Sequence, residues 1–159
     1  MNKEDKDFAE KALKQMFIGS TVDGIRFGVG PGSTFVCFTH YTNHPFDSLW
    51  LNIESRWGVY DSLADTMNFQ DNMVEQSEEE NFKAIFEIRR DEVMDIQLGD
   101  ISPNLFITFT SGKMLVVDGY DENYECWQAG GELEEVGDWL VVAVPGNGIA
   151  VWSPGIREE

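Results

Sequence analysis

LFITFTSGKMLVVDGYDENYECWQ, residues Leu105–Gln128, is the stretch whose reading decides the fold. Leu105–Thr110 is a run of aliphatic, aromatic and β-branched residues, which fit a pleated, half-buried surface. Ser111-Gly112-Lys113 is a turn, because glycine enters positive φ without a steric cost. Met114–Val117 is a second strand. A three-residue connection between two such runs predicts a β-hairpin. Asp118–Asn123 is a polar, acidic loop, and Tyr124-Glu125-Cys126-Trp127 closes the unit.

Upstream, the same pattern recurs at a shift of 71 positions. Val22 falls on Val93, Ile25 on Ile96, Phe27 on Leu98 and Gly28 on Gly99. Phe35 falls on Phe106, Val36 on Ile107, Phe38 on Phe109 and Thr39 on Thr110. The first copy then inserts His40–Ser48, after which Trp50–Ile53 corresponds to Met114–Val117. Each copy is preceded by a helical pattern. In Glu4–Phe17 the apolar positions Phe8, Ala9, Ala12, Leu13 and Met16 follow three- and four-residue spacing. Ser77 followed by Glu80 is a capping box that opens a helix to about Ile88, with Phe82, Ile85 and Phe86 on one face. One copy alone could not cover its apolar face, so the two are expected to pack together or share a sheet. The reading is α+β, mostly antiparallel β: two helix-plus-three-strand halves, about 4–60 and 78–128, in one domain.

The remaining segments fit around these halves. Gly30-Pro31-Gly32 is a turn, Glu54–Tyr60 continues the third strand or bends away, and Asp61–Glu80 is an acidic surface excursion. Gly130–Asp138 is a glycine-rich acidic loop. Trp139–Val144 and Ile149–Trp152 form a terminal hairpin, about 139–152, around Pro145-Gly146-Asn147-Gly148. Ser153–Glu159 is a tail.

At 159 residues the chain has a one-domain length. Eleven Lys and Arg against 29 Asp and Glu leave a formal charge of −18. Such a surface repels phosphate backbones and anionic membranes, and it accelerates encounter with a basic partner. Cys37 and Cys126 make no disulfide framework in a chain this long, and no Cys/His cluster suggests zinc. Met1–Lys6 has no apolar run behind it, so no signal peptide is read, and a reducing cytoplasm is expected.

Catalytic combinations are scarce. Cys37 lies near His40 in sequence but sits mid-strand in an apolar run, where a buried structural thiol is expected. His40 and His44 have a helical metal spacing, but Pro45 and the loop composition make them surface loop residues. Asp118, Asp121, Glu122 and Glu125 could ligate Ca²⁺ or Mg²⁺, although the order of a calcium loop is absent. Gly28–Gly32 lacks the Lys-Ser/Thr and the helix of a phosphate loop. The acidic groups are read as a solvated face, or as a docking face for a basic partner. Of Trp50, Trp57, Trp127, Trp139 and Trp152, most should pack the core. One or two at a sheet edge beside carboxylates would be hot spots.

Tyr124-Glu125-Cys126-Trp127-Gln128, the following acidic loop, then Val142–Val144, Pro145-Gly146 and Ala150-Val151-Trp152 resemble the C-terminal signature of a bacterial family known only as a domain of unknown function. Gly112, Tyr124, Glu125, Trp127, Pro145, Gly146 and Trp152 match its pattern. Asn147 departs from it, standing where the family usually has a second glycine. Members of that family include small proteins encoded beside bacterial toxins, where they look like immunity proteins. The resemblance therefore implies no enzyme and no cofactor, but a protein that binds a basic toxin domain, a nuclease being the expected class. The expected contacts are Asp118, Asp121, Glu122, Glu132, Glu134, Glu135 and Asp138, with Trp139 as anchor. The alternative is a small-ligand or regulatory module with its pocket between the halves.

Overall fold

The computed structural model describes residues 1–27, 33–46, 48–61, 77–133 and 137–154. The Gly30-Pro31-Gly32 turn, most of the acidic excursion (62–76), Glu134, Glu135 and the last five residues of the tail lie outside them.

The first half begins with α1 (Lys3–Phe17), whose first turn is capped by the Asn2 side chain accepting from the Asp5 N–H. The helix buries Ala9, Ala12, Leu13, Met16 and Phe17, the stripe its spacing predicts. Gly19, at φ +88°, lets the chain turn into β1 (Thr21–Phe27). β1, β2 (Thr34–Thr39) and β3 (Ser48–Ile53) form an antiparallel meander. The second half repeats the plan with α2 (Glu78–Glu87), β5 (Val93–Leu98), β6 (Leu105–Phe109) and β7 (Met114–Val117). Ser77 caps α2, its Oγ accepting from the Glu80 N–H and donating to Glu80 Oε1, and Gly112, at φ +91°, makes the β6–β7 turn. The fold is α+β and mostly antiparallel β.

The repeat is visible in irregularities as well as in strands. β1 slips register between Val22 and Gly24 against β2, and β5 slips at the matching place, between Val93 and Asp95, against β6. The pairs Val36–Leu51 and Ile107–Leu115 occupy equivalent positions. The halves also meet symmetrically. Thr21 bridges Glu92, its own equivalent, in antiparallel sense. Around that bridge Gly19 N–H donates to Val93 O (2.9 Å) while Arg90 N–H donates to Val22 O (2.7 Å). Val22 N–H donates to Asp91 O (3.2 Å) while Val93 N–H donates to Ser20 O (2.8 Å). Each bond has its partner under exchange of the two halves.

Each half then extends into a fourth strand that the sequence reading did not count. Glu54–Tyr60 bends away: β4 (Trp57–Tyr60) leaves its own meander and pairs with β7. β8 (Trp127–Gly131) leaves the second meander and pairs with β3. The halves thus exchange their last strands. At the crossing, Glu54 N–H donates to Cys126 O and Asp118 N–H to Arg56 O, both at 2.9 Å. Two sheets result, β1-β2-β3-β8-β9-β10 and β4-β7-β6-β5, with β9 (Trp139–Val144) and β10 (Gly148–Trp152) extending the first.

One core of buried side chains draws on both sheets and on α1. Trp57 and Trp127, each opening an exchanged strand, are both buried in it. Phe86 differs from the sequence reading. It lies 61 % exposed, with the Arg89 guanidinium 3.8 Å from its ring centroid, while Ile85 takes the inward position. No helix among the described residues is long and apolar enough to cross a membrane.

Candidate functional site: an acidic cleft at the strand exchange

Where β3 passes into β4 and β7 passes towards β8, the two crossing segments leave an open cleft of about 870 Å³. Glu54, Ser55 and Arg56 line it from one half, Asp118, Tyr120, Asp121 and Asn123–Cys126 from the other, with Pro145 at the hairpin tip. Its position follows from the exchange: both segments must cross between sheets here, and neither can carry regular strand through the bend.

The floor is internally satisfied. Asp118 is buried; its Oδ2 accepts from Arg56 Nη2 at 3.0 Å and its Oδ1 from the Tyr120 N–H at 3.1 Å. Ser55 Oγ donates to Asp118 O at 2.6 Å. Asp121 Oδ1 accepts from the N–H groups of Asn123 and Tyr124, which folds the loop, and the Gly146 N–H donates to Asp121 O to dock it on the hairpin. Gly119 permits the closest approach. A Cβ there would stand 2.1 Å from Pro103 O, and its N–H donates to Asn104 Oδ1 at 2.8 Å. Cys126 faces this site but is buried, and burial, aided by Asp118 and Asp121, pushes its thiol up to about 12. It is no nucleophile at neutral pH.

The rim is open. Glu122, Tyr124 and Glu125 are exposed, Tyr124 by 73 %. Tyr120 OH donates to Glu122 Oε1 at 3.2 Å, and that bond, with the charges of Glu122 and Asp121, raises the phenol's pKa. Gln128 Nε2 donates to Glu54 Oε2 (2.9 Å) and Glu125 Oε1 (3.3 Å), tying carboxylates from the two halves together. Among the described residues no group of three or more His, Cys, Asp or Glu is placed to hold a metal ion.

The expected contact residues separate. Asp118 and Asp121 line the cleft, and Glu122 stands beside it, accepting from the Tyr120 hydroxyl. Glu132 and Asp138, both exposed, flank the far end of the β8–β9 pair, where Gly131 meets Trp139; Glu134 and Glu135 lie outside the described residues. Two expectations need correction. Trp139 is buried, its ring edge-on to Phe46 at 4.8 Å and its Nε1–H donating to Pro154 O, so it offers no exposed face as an anchor. Asp118 is engaged by Arg56 rather than free for a partner. Sequence reasoning missed Glu54, Arg56, Tyr120 and Tyr124. The charged Glu54-Ser55-Arg56 step between apolar strands was the available signal.

Of the two histidines, His40 differs from expectation. His40 is buried, with Nε2 donating to Met16 O at 2.6 Å near the C-terminus of α1. Its ring stacks on His44 at 3.6 Å, and His44 Nδ1 accepts from the Phe46 N–H. Cys37 is half-buried on the outer face of β2 rather than in the core.

No protein-family model matches the chain, and neither a curated protein nor a solved structure does.

Proposed function

We propose that this protein is a non-catalytic binder of a cationic protein domain, in the manner of a bacterial immunity protein facing a basic toxin, and that the cleft at the strand exchange receives lysine or arginine side chains of that partner. One observation carries the reading: on a chain of charge −18, carboxylates from both halves converge on a concave site whose rim carries two exposed tyrosines. Carboxylates supply charge-assisted hydrogen bonds to ammonium or guanidinium groups, and tyrosine faces add cation–π attraction. The net charge steers a basic partner in and repels the polyanion that a nuclease would seek. Tyrosine brings large contact area at low entropic cost.

The alternative of a small-ligand module draws on the position of the cleft between the halves. A small-ligand site is usually enclosed and mostly apolar. This one is open and ringed by charge.

The test is co-expression with the product of the adjacent reading frame, scored as rescue of growth, together with binding at low and high salt. Protection and an affinity that falls steeply with salt are expected, both reduced in Glu54→Gln/Glu122→Gln/Glu125→Gln. Full protection by that triple variant rejects the cleft as the docking site.

A further inference from the structure

The outer face of the six-stranded sheet lies beside this cleft. Residues Gly24, Cys37, Trp50, Gly130, Leu140 and Trp152 stand in one register row across all six strands. The row beside it brings Phe35, half-buried, and Val142, buried, to the same face. The inward positions of these strands, such as Val36, Leu51, Ala129 and Val141, belong to the core with α1, so the helix packs on the opposite side. Phe35 and Trp50 stack at 5.6 Å with 17° between their planes. Gly130 makes room for this: a Cβ there would come within 2.6 Å of Trp50 Cζ2, so only a bare backbone lets the indole lie across β8. At the open edge Trp152 is 67 % exposed. The second sheet differs, since Met114 and Val116 on its outer face are buried under Tyr60 and Phe106.

Resting on the reading of the cleft just given, we propose that this apolar face is the other half of the same docking surface, and that its occupant is a protein surface with an apolar centre and basic residues along one side. Gln128 joins the two parts. It lies on the outer face between Asn52, with which it bonds at 2.8 Å, and the Glu54 and Glu125 carboxylates it donates to. The apolar centre and acidic border follow the anatomy of protein interfaces. Six strands at about 4.8 Å spacing give a face about 24 Å wide and roughly 13 Å along the strands, roughly 300 Å². A specific interface takes about 800 Å² per partner, so the face alone falls well short of one and has to extend over the cleft beside it. A second copy of this chain is the weaker occupant, because both copies would carry −18 and the same acidic border. Arg26 sits at the far end of the face over Phe35, 5.7 Å from the ring centroid.

Two synthetic probes separate the two halves of the surface: an alternating lysine–leucine peptide and a lysine–glycine peptide of equal length and charge, each titrated calorimetrically at low and high salt. The lysine–leucine peptide is expected to bind about tenfold tighter. Trp152→Ala, at an exposed position, and Leu140→Lys should each cut that preference at least threefold and leave lysine–glycine binding nearly unchanged. Glu54→Gln/Glu125→Gln should weaken both peptides alike. Equal, salt-sensitive binding of both peptides, or a preference that survives both face variants, overturns the apolar half and leaves the cleft standing. Binding of neither peptide overturns both.

Discussion

Replacing Trp127 by alanine probes the strand exchange at its most loaded point. Trp127 is fully buried, opens β8 opposite Ile53, and its Nε1–H donates to Pro103 O at 2.8 Å. Truncating a buried tryptophan removes its transfer free energy and leaves a cavity, together about 3–5 kcal/mol. Orphaning the Pro103 carbonyl adds about 1 kcal/mol or more. The sum, roughly 4–6 kcal/mol, is a large share of the total stability of a domain this size, roughly 8–15 kcal/mol. At about 2–4 °C per kcal/mol, Tm should fall by roughly 8–24 °C. Trp127→Phe keeps most of the ring volume and loses the N–H, so it should cost about 1–3 kcal/mol. Urea denaturation followed by circular dichroism measures both, with an unchanged m-value licensing the comparison. A cost for Trp127→Ala below about 2 kcal/mol, or a phenylalanine variant as damaged as the alanine one, refutes the account of how the exchanged strand is held.

Four further outcomes follow from the structure. Gly119→Ala should cost about 1–3 kcal/mol, because its Cβ meets the Pro103 backbone rather than a movable side chain, and thermal melting would detect the loss. Asn147 sits at φ +62° and accepts from Ser102 Oγ at 2.6 Å; Asn147→Gly should be tolerated to within about 1 kcal/mol, whereas Asn147→Val should cost more than that, read by the same melts. Asp95 is pushed up by burial, but hydrogen bonds from Lys14, the Ile96 N–H and Gln97 outweigh this and lower its pKa below 3.8. A lowered native pKa gives stability that is present above 3.8 and lost as pH falls through the native value. Asp95→Asn should therefore be less stable than the parent at pH 6, and the gap should close on acidification below that native value. In the folded protein Cys126 should resist a thiol reagent at pH 8, while denaturant should expose it; rapid native labelling of Cys126 would contradict its burial and raised pKa.

Much of the fold was legible because local and global signals agreed. The shift of 71 residues between Val22 and Val93 was readable in apolar patterning, and it recurs in the two bulges and in the bridge between Thr21 and Glu92. The fourth strands were not legible. Trp57–Tyr60 is a short run whose composition says strand without naming its neighbour, and the choice between pairing with β3 and pairing with β7 is made by the tertiary fold. Asn147 shows the opposite case. It stands in a turn at a position where φ is positive, and asparagine is the residue that best replaces glycine there.

The site was half legible for a related reason. The charge count indicated an acidic surface, yet charge has no address until the chain is folded. Asp118 and Asp121 share an acidic loop with Glu122, but two of the three turn inward: Asp118 meets Arg56, and Asp121 meets the backbone N–H groups of its own loop. Those inward bonds hold the loop in the shape that leaves Tyr120, Glu122, Tyr124 and Glu125 facing out. Arg56 comes from the first half and Asp118 from the second, so the ion pair forms only where the strands cross. The exchange of strands that unites the two sheets is thus also what assembles the cleft, and a variant that frees β8 from β3 should lose the cleft before the remaining helices and strands unfold.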